Sequence, residues 1–448
     1  MLLTARYVLP VATPHIENGA VLVDGDKIVE IGDFEHLRAA HPDEPVRDFG
    51  LAALMPGFID LHTHLEYTAM RGLVDDLPYS QWKLQVMQKE GHFSSQDWGD
   101  SALLGALEAL QSGITTVADI TRTGASGRAA QAAGLRAVIY REVATMEKSQ
   151  VEPVMSLAAE DIAAWRETSD PKRMTIGIAP HAPYSCHPAL FRRVAAFAMD
   201  GTPVAIHLAG SVEEHDFVKY GSSMLATDVR DTYDANAPGW LPTGVSPVRY
   251  VLQWGLFDVP NIIGVHCTQV DDEDIGVLAG HDVSVAYCPR CEAKLGMGIS
   301  PLERFLRAGI RVGIGTDSPA ASNSMDVFEE MRIGLLLQRA VLGEERFMSA
   351  QQFVKMATLD AARAIKMDDT LGSLEPGKQA DIVAVDLSKS HQIPTHEPYS
   401  TLVHTANQEN VLATMIAGEI VYEAREWRHI DHARIYARAE EMRMQLRA

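Results

Sequence analysis

Five histidines and one aspartate stand at the ends of short apolar runs, where their side chains could share a metal ion. His62 and His64 close the run PGFIDLHTH, and their i, i+2 spacing puts both side chains on one face of a strand. The remaining candidates end separate runs: His181, His207, His266 and Asp317. Imidazole and carboxylate donors suit zinc, iron or manganese, with one coordination position left open for water. A single such histidine is usually a packed residue, but a set in register predicts a catalytic metal site.

Eight apolar runs would position these residues. Near-continuous Val, Ile and Ala are typical of parallel strands buried on both faces. Helical segments such as SALLGALEALQSG and PLERFLRAG separate the runs, and Gly113 and Gly309 suit helix ends. Eight strands alternating with helices over about 300 residues predict an α/β fold, a (β/α)₈ TIM-like barrel with its active site at the carboxyl ends of the strands. The predicted strands are 54–64, 113–120, 135–143, 174–183, 203–209, 261–267, 283–289 and 311–319.

The two ends of the chain have a different pattern. Short strand-like pieces with turn signals occur in VDGDKIVEIGD, LGSLEPGKQADIVAVDLS and VLATMIAGEIVYE. We predict that they combine into a small composite β-sandwich domain, formed by residues 1–53 and 366–425. The catalytic barrel would span 54–365, and residues 426–448 would form a helix docked on the barrel or on another subunit.

Composition limits the classes of partner. The net charge of −21 over 448 residues argues against nucleic acids and anionic membranes, both of which would repel the protein. No run reaches the 18 or so apolar residues of a membrane span, and the first residues lack the features of a signal peptide. Four cysteines do not make a disulfide framework, so a cytoplasmic location is predicted.

The motifs PGFIDLHTH, PHAPYS, HLA, GVHC and GTDSP, in this order, resemble the amidohydrolase superfamily. Within it they are most similar to aminohydrolases and chlorohydrolases that act on nitrogen heterocycles, and the resemblance runs the whole length. It implies that His62, His64, His207 and Asp317 hold one divalent metal per chain, zinc being expected and iron or manganese possible. It also implies that His266 contacts the activated water or the substrate. The fourth strand, MTIGIAPHAPYS, has no lysine that could bridge a second metal.

The resemblance implies a reaction, and the sequence departs from the family at one residue that matters for it. A metal can lower the pKa of a bound water from about 15.7 to roughly 7, and the hydroxide would attack a ring carbon bearing an amino group or a halide. Asp317 would accept the proton that the bound water loses. The family has a glutamate three residues after the fifth-strand histidine to protonate the ring, but Gly210 occupies that position. Glu213, Glu214 or Glu66 could replace it, although each could equally lie on a solvated or structural segment.

Other functions stay open because of that departure. Hydrolytic dehalogenation or ring-amide cleavage would need only Asp317 and His266. Alternatively, the protein could be a non-catalytic binding protein that keeps the metal and the pocket but has lost turnover because Gly210 replaces the glutamate. The segment CPRC is formally a CxxC motif, but the family carries the Cys-Pro pair there without a redox function.

The segments HTHLEYTAMRGLVDDLP, PHAPYS and GVSPVRYV most resemble enzymes that deaminate adenine nucleosides. These are aminodeoxyfutalosine deaminases and methylthioadenosine/adenosylhomocysteine deaminases. The resemblance implies a small heterocyclic substrate, purine-like, with its ribose farther from the metal, and a homo-oligomeric protein. The seventh-strand motif, commonly CPRSN, is CPRCE here, which changes the polar pattern of the pocket rim. The expected substrate contacts are His181, Glu66, Arg71, Trp82, Glu90, Arg141 and Glu292.

Overall fold

The computed structural model describes residues 1–225, 240–343 and 347–447. Within these ranges the chain forms an eight-stranded parallel sheet and a nine-stranded mixed sheet. The strands, in chain order, are β1 Leu2–Val8, β2 Ile16–Asp24, β3 Lys27–Asp33, β4 Val46–Asp48, β5 Ala52–Pro56, β6 Phe58–Thr63, β7 Ile114–Thr121, β8 Arg136–Val143, β9 Met174–Pro180, β10 Val204–Leu208, β11 Ile262–His266, β12 Ser284–Tyr287, β13 Val312–Ile314, β14 Ile382–Asp386, β15 Val411–Ile416, β16 Glu419–Glu423 and β17 Glu426–Trp427.

Helices follow most of the parallel strands and cover the outer face of their sheet. The α-helices of the described ranges are Phe34–Ala40, Tyr79–Glu90, Ser95–Gln111, Ala125–Ala133, Val151–Thr168, Pro188–Ala198, Val212–Tyr220, Pro247–Leu252, Asp272–Gly280, Pro289–Lys294, Leu302–Arg307, Pro319–Ser322, Val327–Leu342, Ala350–Met356, Leu359–Ala364, Pro398–Thr405 and His432–Arg447. Short 3₁₀ turns lie at Leu65–Met70, Lys148–Gln150, Leu256–Asp258 and Gln408–Asn410. In the described part of the chain, no helix combines the length and the apolarity that crossing a membrane requires.

The parallel sheet runs from β6 to β13 in sequence order and closes on itself as a barrel. Closure is visible at the mouth, where the Asp317 amide donates to the His62 carbonyl over 2.9 Å. It requires glycine in β13, because a Cβ on Gly313 would lie 2.7 Å from Leu61 Cδ2. The strands are buried on both faces, which is why their sequences are almost continuously apolar. The predicted barrel is therefore confirmed.

The mixed sheet joins the two ends of the chain, as predicted. Its order is β17-β16-β15-β14-β5-β1-β2-β3, and β4 pairs with β1. The decisive contact is the antiparallel pairing of β14 with β5, in which Ala384 lies opposite Leu54. A buried ion pair ties this sheet to the barrel, since Arg136 of β8 binds Asp381 with an Nε–Oδ2 distance of 3.0 Å.

The first and last predicted barrel strands differ from the observed ones. The run 54–64 contains two strands, because β5 ends at Pro56 in the mixed sheet and β6 begins at Phe58 in the barrel. Gly57 between them is needed, because a Cβ there would overlap the Thr115 side chain at 2.1 Å. The run 311–319 shortens to Val312–Ile314, and the chain reaches Asp317 with a positive φ of 57°.

The C-terminal helix His432–Arg447 docks on the helix Ser95–Gln111. Arg438 makes the contact, with Nη2 3.0 Å from Asp97 Oδ1 and Nε 3.0 Å from Asp100 Oδ2. Docking within the same chain was one of the two arrangements expected for this helix.

Candidate active site and metal centre

The candidate ligands come together at the mouth of the barrel. The donor atoms of His62, His64 and His207 lie within 4.8 Å of one another, and so do those of His62, His266 and Asp317. His62, His207 and His266 belong to β6, β10 and β11, while His64 directly follows β6 and Asp317 lies three residues after β13. Five side chains separated by up to 255 positions thus share one small volume, as the barrel prediction required.

The rings of His64 and His207 face each other with nitrogen atoms that lack hydrogen. His64 Nδ1 lies 2.8 Å from the Ile120 carbonyl and His207 Nδ1 2.9 Å from the His181 carbonyl, so each Nδ1 must carry the proton. The two Nε2 atoms are 3.3 Å apart. Burial lowers the pKa of His64 to about 3 and that of His207 well below its ordinary value, so both rings are neutral. Two lone pairs at this distance repel unless a cation lies between them.

Asp317 supplies the negative charge of the centre. Its Oδ1 lies 3.6 Å from His62 Nε2, a buried nitrogen without a hydrogen-bond partner among the described residues. Burial alone would raise the pKa of Asp317, but the close approach of His62, with smaller effects of His266 and His64, outweighs it, and the pKa lies well below its usual range. An ionised carboxylate beside imidazole nitrogens is the donor set of a catalytic zinc site. These residues therefore fit a divalent metal.

The CPRC segment does not supply thiolates. All four cysteines of the sequence are described, and all are buried and unpaired by disulfides. Burial, with the Asp317 charge next in size, raises the pKa of Cys288 and Cys291 well above its usual value, and metal binding or redox exchange needs the thiolate. Cys291 instead donates its thiol hydrogen to Asp317 Oδ2 at 2.7 Å.

His266 stands between two carboxylates. Its Nε2 is 3.9 Å from Asp317 Oδ2, and its Nδ1 is 3.6 Å from Glu292 Oε1. Burial would lower the pKa of His266, but Glu292 and Asp317 outweigh it and the pKa is raised. Glu292 is itself held by the Cys288 amide at 3.1 Å and the Ser300 hydroxyl at 2.8 Å. It therefore lies behind His266, with His266 between it and the metal centre.

Several site residues have a backbone conformation that is unusual for residues with a side chain. Ala209, His266, Cys267 and Asp317 all have φ between 49° and 73°. Such left-handed residues cost of order 1–3 kcal/mol each and persist only where packing determines them. Their clustering at the barrel mouth shows that the fold holds these side chains at an energetic cost.

The surroundings of Gly210 explain why it carries no side chain. A Cβ there would lie 3.0 Å from Met297 Cε and 3.2 Å from His266 Cδ2, so Met297 fills the space. The two oxygens of Glu214 accept from the amides of Ala209 at 2.8 Å and Gly210 at 2.9 Å. Burial raises the pKa of Glu214 to about 7. The Glu214 carboxyl thus holds the backbone of this segment.

The other two proposed replacements for the glutamate lie differently. Glu213 lies in the first turn of the helix Val212–Tyr220, and its Oε2 is buried without a hydrogen-bond partner among the described residues. The Glu66 carboxylate accepts from the hydroxyls of Thr121 and Thr123, each at 2.6 Å, and from the Arg122 amide at 2.9 Å. Its oxygens are therefore committed to the end of β7.

A cavity of about 680 Å³ adjoins the centre beside His64. Tyr67 connects the two, since its ring centre lies 5.8 Å from that of His64 and its hydroxyl donates to Glu90 at 2.9 Å. Of the expected substrate contacts, Glu66, Glu90 and Arg141 line this cavity. The wall is polar because it also includes Arg122 and Glu142.

The remaining expected contacts are placed elsewhere. His181 packs on His207 with ring centres 5.1 Å apart, and its Nδ1 is 2.7 Å from Ser185 Oγ. Arg71 pairs with Glu108, and the buried Trp82 donates from Nε1 to the Ala320 carbonyl at 3.3 Å. Among the described residues, Arg71 and Trp82 lie outside the cavity wall.

Three residues of the cavity wall, Tyr67, Arg122 and Glu142, were not expected from the sequence. Glu142 had a local signal, because it is adjacent to the proposed contact Arg141 at the end of β8. Arg141 itself pairs with Asp161, with Nε and Oδ2 2.7 Å apart.

A parallel barrel with a histidine and aspartate donor set at the carboxyl ends of its strands is the architecture of a metal-dependent hydrolase. Comparison with known families agrees. The model of the Amidohydrolase family matches residues 53–421, and that of the bacterial imidazolonepropionase-like composite domain matches residues 19–43. The chain belongs to the amidohydrolase family.

Individual relatives match over nearly the whole chain. A 5-methylthioadenosine/S-adenosylhomocysteine deaminase of Moorella thermoacetica is 32% identical over 96% of this chain and 96% of its own. The crystal structure of a zinc-bound adenosine deaminase from Xanthomonas campestris is 30% identical and superposes with a TM-score of 0.87, covering 100% of this chain and 98% of that one. The zinc complex of an atrazine chlorohydrolase from Arthrobacter aurescens, 23% identical over 98% and 99% of the two chains with a TM-score of 0.84, shares the fold.

Proposed function

We propose that this protein is a zinc-dependent deaminase that removes the exocyclic amino group of an adenine nucleoside. The observation that carries the proposal is the pair of unprotonated Nε2 atoms of His64 and His207, 3.3 Å apart beside the ionised Asp317. The relatives named as methylthioadenosine/S-adenosylhomocysteine deaminases, about 30% identical over the whole chain, support the choice of substrate.

His62, His64, His207 and Asp317 would hold the metal. When bound, it supplies the Lewis acidity that activates a water molecule for attack on the ring carbon. His64 and His207 are already oriented for this role by the carbonyls of Ile120 and His181. Such outer contacts fix the tautomer of a ligand and reduce the reorganisation needed on binding.

The proton transfers would fall to Asp317 and His266. Asp317 is ionised and faces the centre, so it can accept the proton of the attacking water. His266 can donate a proton towards the ring nitrogen, and Glu292 behind it fixes its orientation. This pair would replace the carboxyl that Gly210 lacks. Glu214 would act as a positioning residue, because both of its oxygens bind backbone amides.

Glu213 stays the alternative proton carrier. Its buried oxygen has no hydrogen-bond partner among the described residues, so it could take a proton at little cost in existing contacts. The variants Glu213→Gln and His266→Asn separate the two assignments. If His266 carries the proton, only the second variant lowers kcat by about 10²-fold or more.

The adjoining cavity would hold the sugar. Glu90 and Arg141 offer an acceptor and a donor to its hydroxyls, and His181 packs on the proposed ligand His207. Cavities of a few hundred cubic ångströms bury most of a ligand of nucleoside size. Glu66, whose oxygens already bind three donors, would shape the wall through its packing.

Hydrolytic dehalogenation is the second candidate, and one observation favours it. Met297 occupies the space into which a side chain at position 210 would point. Chloride leaves as an anion and needs no proton, whereas ring protonation assists the loss of ammonia. A site without a carboxyl group at position 210 is therefore more impaired for deamination than for dehalogenation.

The test is product release by the zinc-loaded protein from adenosine, methylthioadenosine, S-adenosylhomocysteine, an aminotriazine and a chlorotriazine. We expect the wild-type protein to release ammonia from the adenine nucleosides. The Asp317→Asn variant, assayed at equal metal content, should release none. Chloride from the chlorotriazine without ammonia from any nucleoside would favour the second candidate. If no product is released from any compound while one zinc is bound per chain, both candidate functions are contradicted and a binding role is favoured.

A further inference from the structure

The barrel closes at a seam, which we define as the boundary between residues 58–64, with β6, and residues 312–317, with β13. Every other neighbouring pair of barrel strands is hydrogen-bonded in a ladder, but among the described residues no ladder joins β6 to β13. The two backbones nevertheless approach closely, because a Cβ on Gly315 would lie 3.0 Å from the Cβ of His62. Two of the proposed metal ligands, His62 and Asp317, lie on opposite sides of the seam. Their spacing therefore depends on the contacts that hold the seam together.

Asp60 binds across the seam from inside the barrel. It precedes His62 by two residues in β6, so the two side chains lie on the same face of the strand. The completely buried Asp60 carboxylate accepts from the Thr316 amide at 2.9 Å through Oδ1 and from the Thr316 hydroxyl at 2.6 Å through Oδ2. Oδ1 also accepts from the His62 amide at 3.3 Å. One carboxylate thus contacts one ligand and the neighbour of the other, Asp317.

The backbone of Asp317 is held from β6 as well. The Thr63 hydroxyl donates to the Asp317 carbonyl at 3.1 Å, and the Asp317 amide donates to the His62 carbonyl at 2.9 Å. Asp317 has a positive φ of 57°, a conformation that persists only where the surroundings determine it. The contacts made by Asp60 and Thr63 supply that determination on the side of β6.

We propose that Asp60 is a positioning residue of the metal centre, which sets the spacing between His62 and Asp317 by binding Thr316 across the seam. The proposal rests on the proposed function, because it takes these two residues as metal ligands, but it does not depend on the substrate. His62 Nε2 and Asp317 Oδ1 are 3.6 Å apart. Metal–ligand distances tolerate deviations of only about 0.2 Å, so a small shift across the seam would weaken metal binding.

The test measures the zinc affinity of the metal-free full-length protein by competition with a chelator. Thr316→Val removes the hydroxyl that binds Asp60 and keeps the size of the side chain. Groups that orient metal ligands contribute about tenfold to hundredfold in affinity, so we expect zinc to bind more weakly by that factor. Thr316→Ser keeps the hydroxyl and should bind zinc as the wild type does.

Asp60→Asn provides a second variant of the same contact. It replaces one acceptor oxygen by a nitrogen donor of the same size, and it should also weaken zinc binding by about tenfold or more. This variant removes a negative charge near the metal centre, whereas Thr316→Val leaves that charge in place. A loss of affinity in Thr316→Val therefore reports positioning and not electrostatic attraction.

Thr414→Val is the matched control. Thr414 of β15 is also completely buried, and its hydroxyl donates to the Leu110 carbonyl at 2.7 Å, far from the seam in sequence. The control removes an equally buried hydrogen bond, so it should lower the Tm about as much as Thr316→Val but keep the wild-type zinc affinity. Wild-type zinc affinity in Thr316→Val would overturn the proposal. An equal loss of affinity in Thr316→Val and Thr414→Val would also overturn it, because a general loss of stability would then explain both.

The two proposals can fail separately. If the wild type releases ammonia from adenosine and Thr316→Val binds zinc equally well, the deaminase proposal stands and the positioning role of Asp60 is wrong. If the wild type binds zinc but deaminates no nucleoside, the deaminase proposal is wrong, and the zinc affinities of the variants still decide the role of Asp60. A wild-type protein that bound no zinc would contradict both proposals.

Discussion

A buried histidine ordinarily satisfies both ring nitrogens with protein partners, because an unpaired polar atom in the interior costs about 1–3 kcal/mol. His64 and His207 satisfy one nitrogen each and turn the other towards its counterpart, 3.3 Å away. His62 Nε2 is buried nearby without a partner among the described residues. The protein therefore carries an energetic penalty at this site that metal binding would remove.

This leads to a first prediction at the residue scale. Zinc at a hundredfold excess over its dissociation constant should stabilise the metal-free protein by about 2.7 kcal/mol and raise its Tm. His207→Ala should lose most of that shift, whereas His391→Ala, an exposed histidine of the mixed-sheet domain, should keep it. Thermal unfolding with increasing zinc measures the effect, and an equal shift in the two variants would contradict the ligand assignment.

Glu214 provides a second prediction, on the pH dependence of stability. Its pKa is about 7 in the folded protein against 4.5 for an ordinary glutamate, because burial disfavours the charged form. Between pH 4.5 and 7 the unfolded chain loses this proton first, so the stability of the folded state falls as the pH rises. The loss is at most about 3 kcal/mol by pH 8.

The variant Glu214→Gln cannot ionise and should lack this loss. Its stability relative to wild type should therefore rise between pH 5 and pH 8, as measured by urea unfolding at both values. Glu160→Gln changes an exposed carboxylate of the helix Val151–Thr168 and serves as the control. The assignment fails if the two variants show the same pH dependence.

At the scale of elements, the helix Ser95–Gln111 connects the C-terminal helix to the active site. On one side its Ser101 hydroxyl donates to the Glu66 carbonyl at 2.7 Å and accepts from the Ala69 amide at 2.8 Å, which holds the turn after His64. On the other side Asp97 and Asp100, both buried, bind Arg438. The C-terminal helix thus supports the segment that carries Glu66 and Tyr67.

The prediction for this scale compares two arginines of the C-terminal helix. Arg438→Ala leaves Asp97 and Asp100 without this partner and should lower the Tm. Arg443→Ala should have little effect, because among the described residues Arg443 pairs with Glu440 on the same exposed helix surface. Differential scanning calorimetry distinguishes them, and equal Tm values would show that the C-terminal helix does not stabilise the barrel through Arg438.

At the scale of the whole molecule, the mixed sheet and the barrel are joined through Arg136 and Asp381. Both side chains are nearly inaccessible, and Asp381 also accepts from the Ala417 amide at 2.8 Å. Breaking a buried pair by removing one partner costs about 3–5 kcal/mol, because the other charge stays buried. Replacing both partners with apolar residues costs less.

The corresponding prediction is a double-mutant cycle. Arg136→Met and Asp381→Leu should each destabilise the protein by about 3–5 kcal/mol, and the double variant should be more stable than the sum of the single effects predicts. Urea unfolding of the four proteins measures the coupling. Strict additivity would mean that the two residues do not depend on each other and that strand pairing alone joins the domains.

The sequence by itself determined the fold class and where the candidate metal ligands lie along the chain. Strands buried on both faces must be apolar, so the eight barrel strands were visible as local patterns. Parallel strands present their carboxyl ends at one edge, so residues ending those patterns, such as His207 and Asp317, had to converge. Both inferences use only short-range periodicity and the geometry of one fold.

The tertiary structure decided what surrounds those ligands. Glu292 could be placed behind His266, and Met297 in the space beside Gly210, only once residues far apart in sequence were brought into contact. The left-handed backbone at His266 and Asp317 and the division of the run 54–64 between two sheets are likewise invisible locally. Each depends on which distant atoms fill the neighbouring space, and packing and electrostatics between such atoms have no period along the chain.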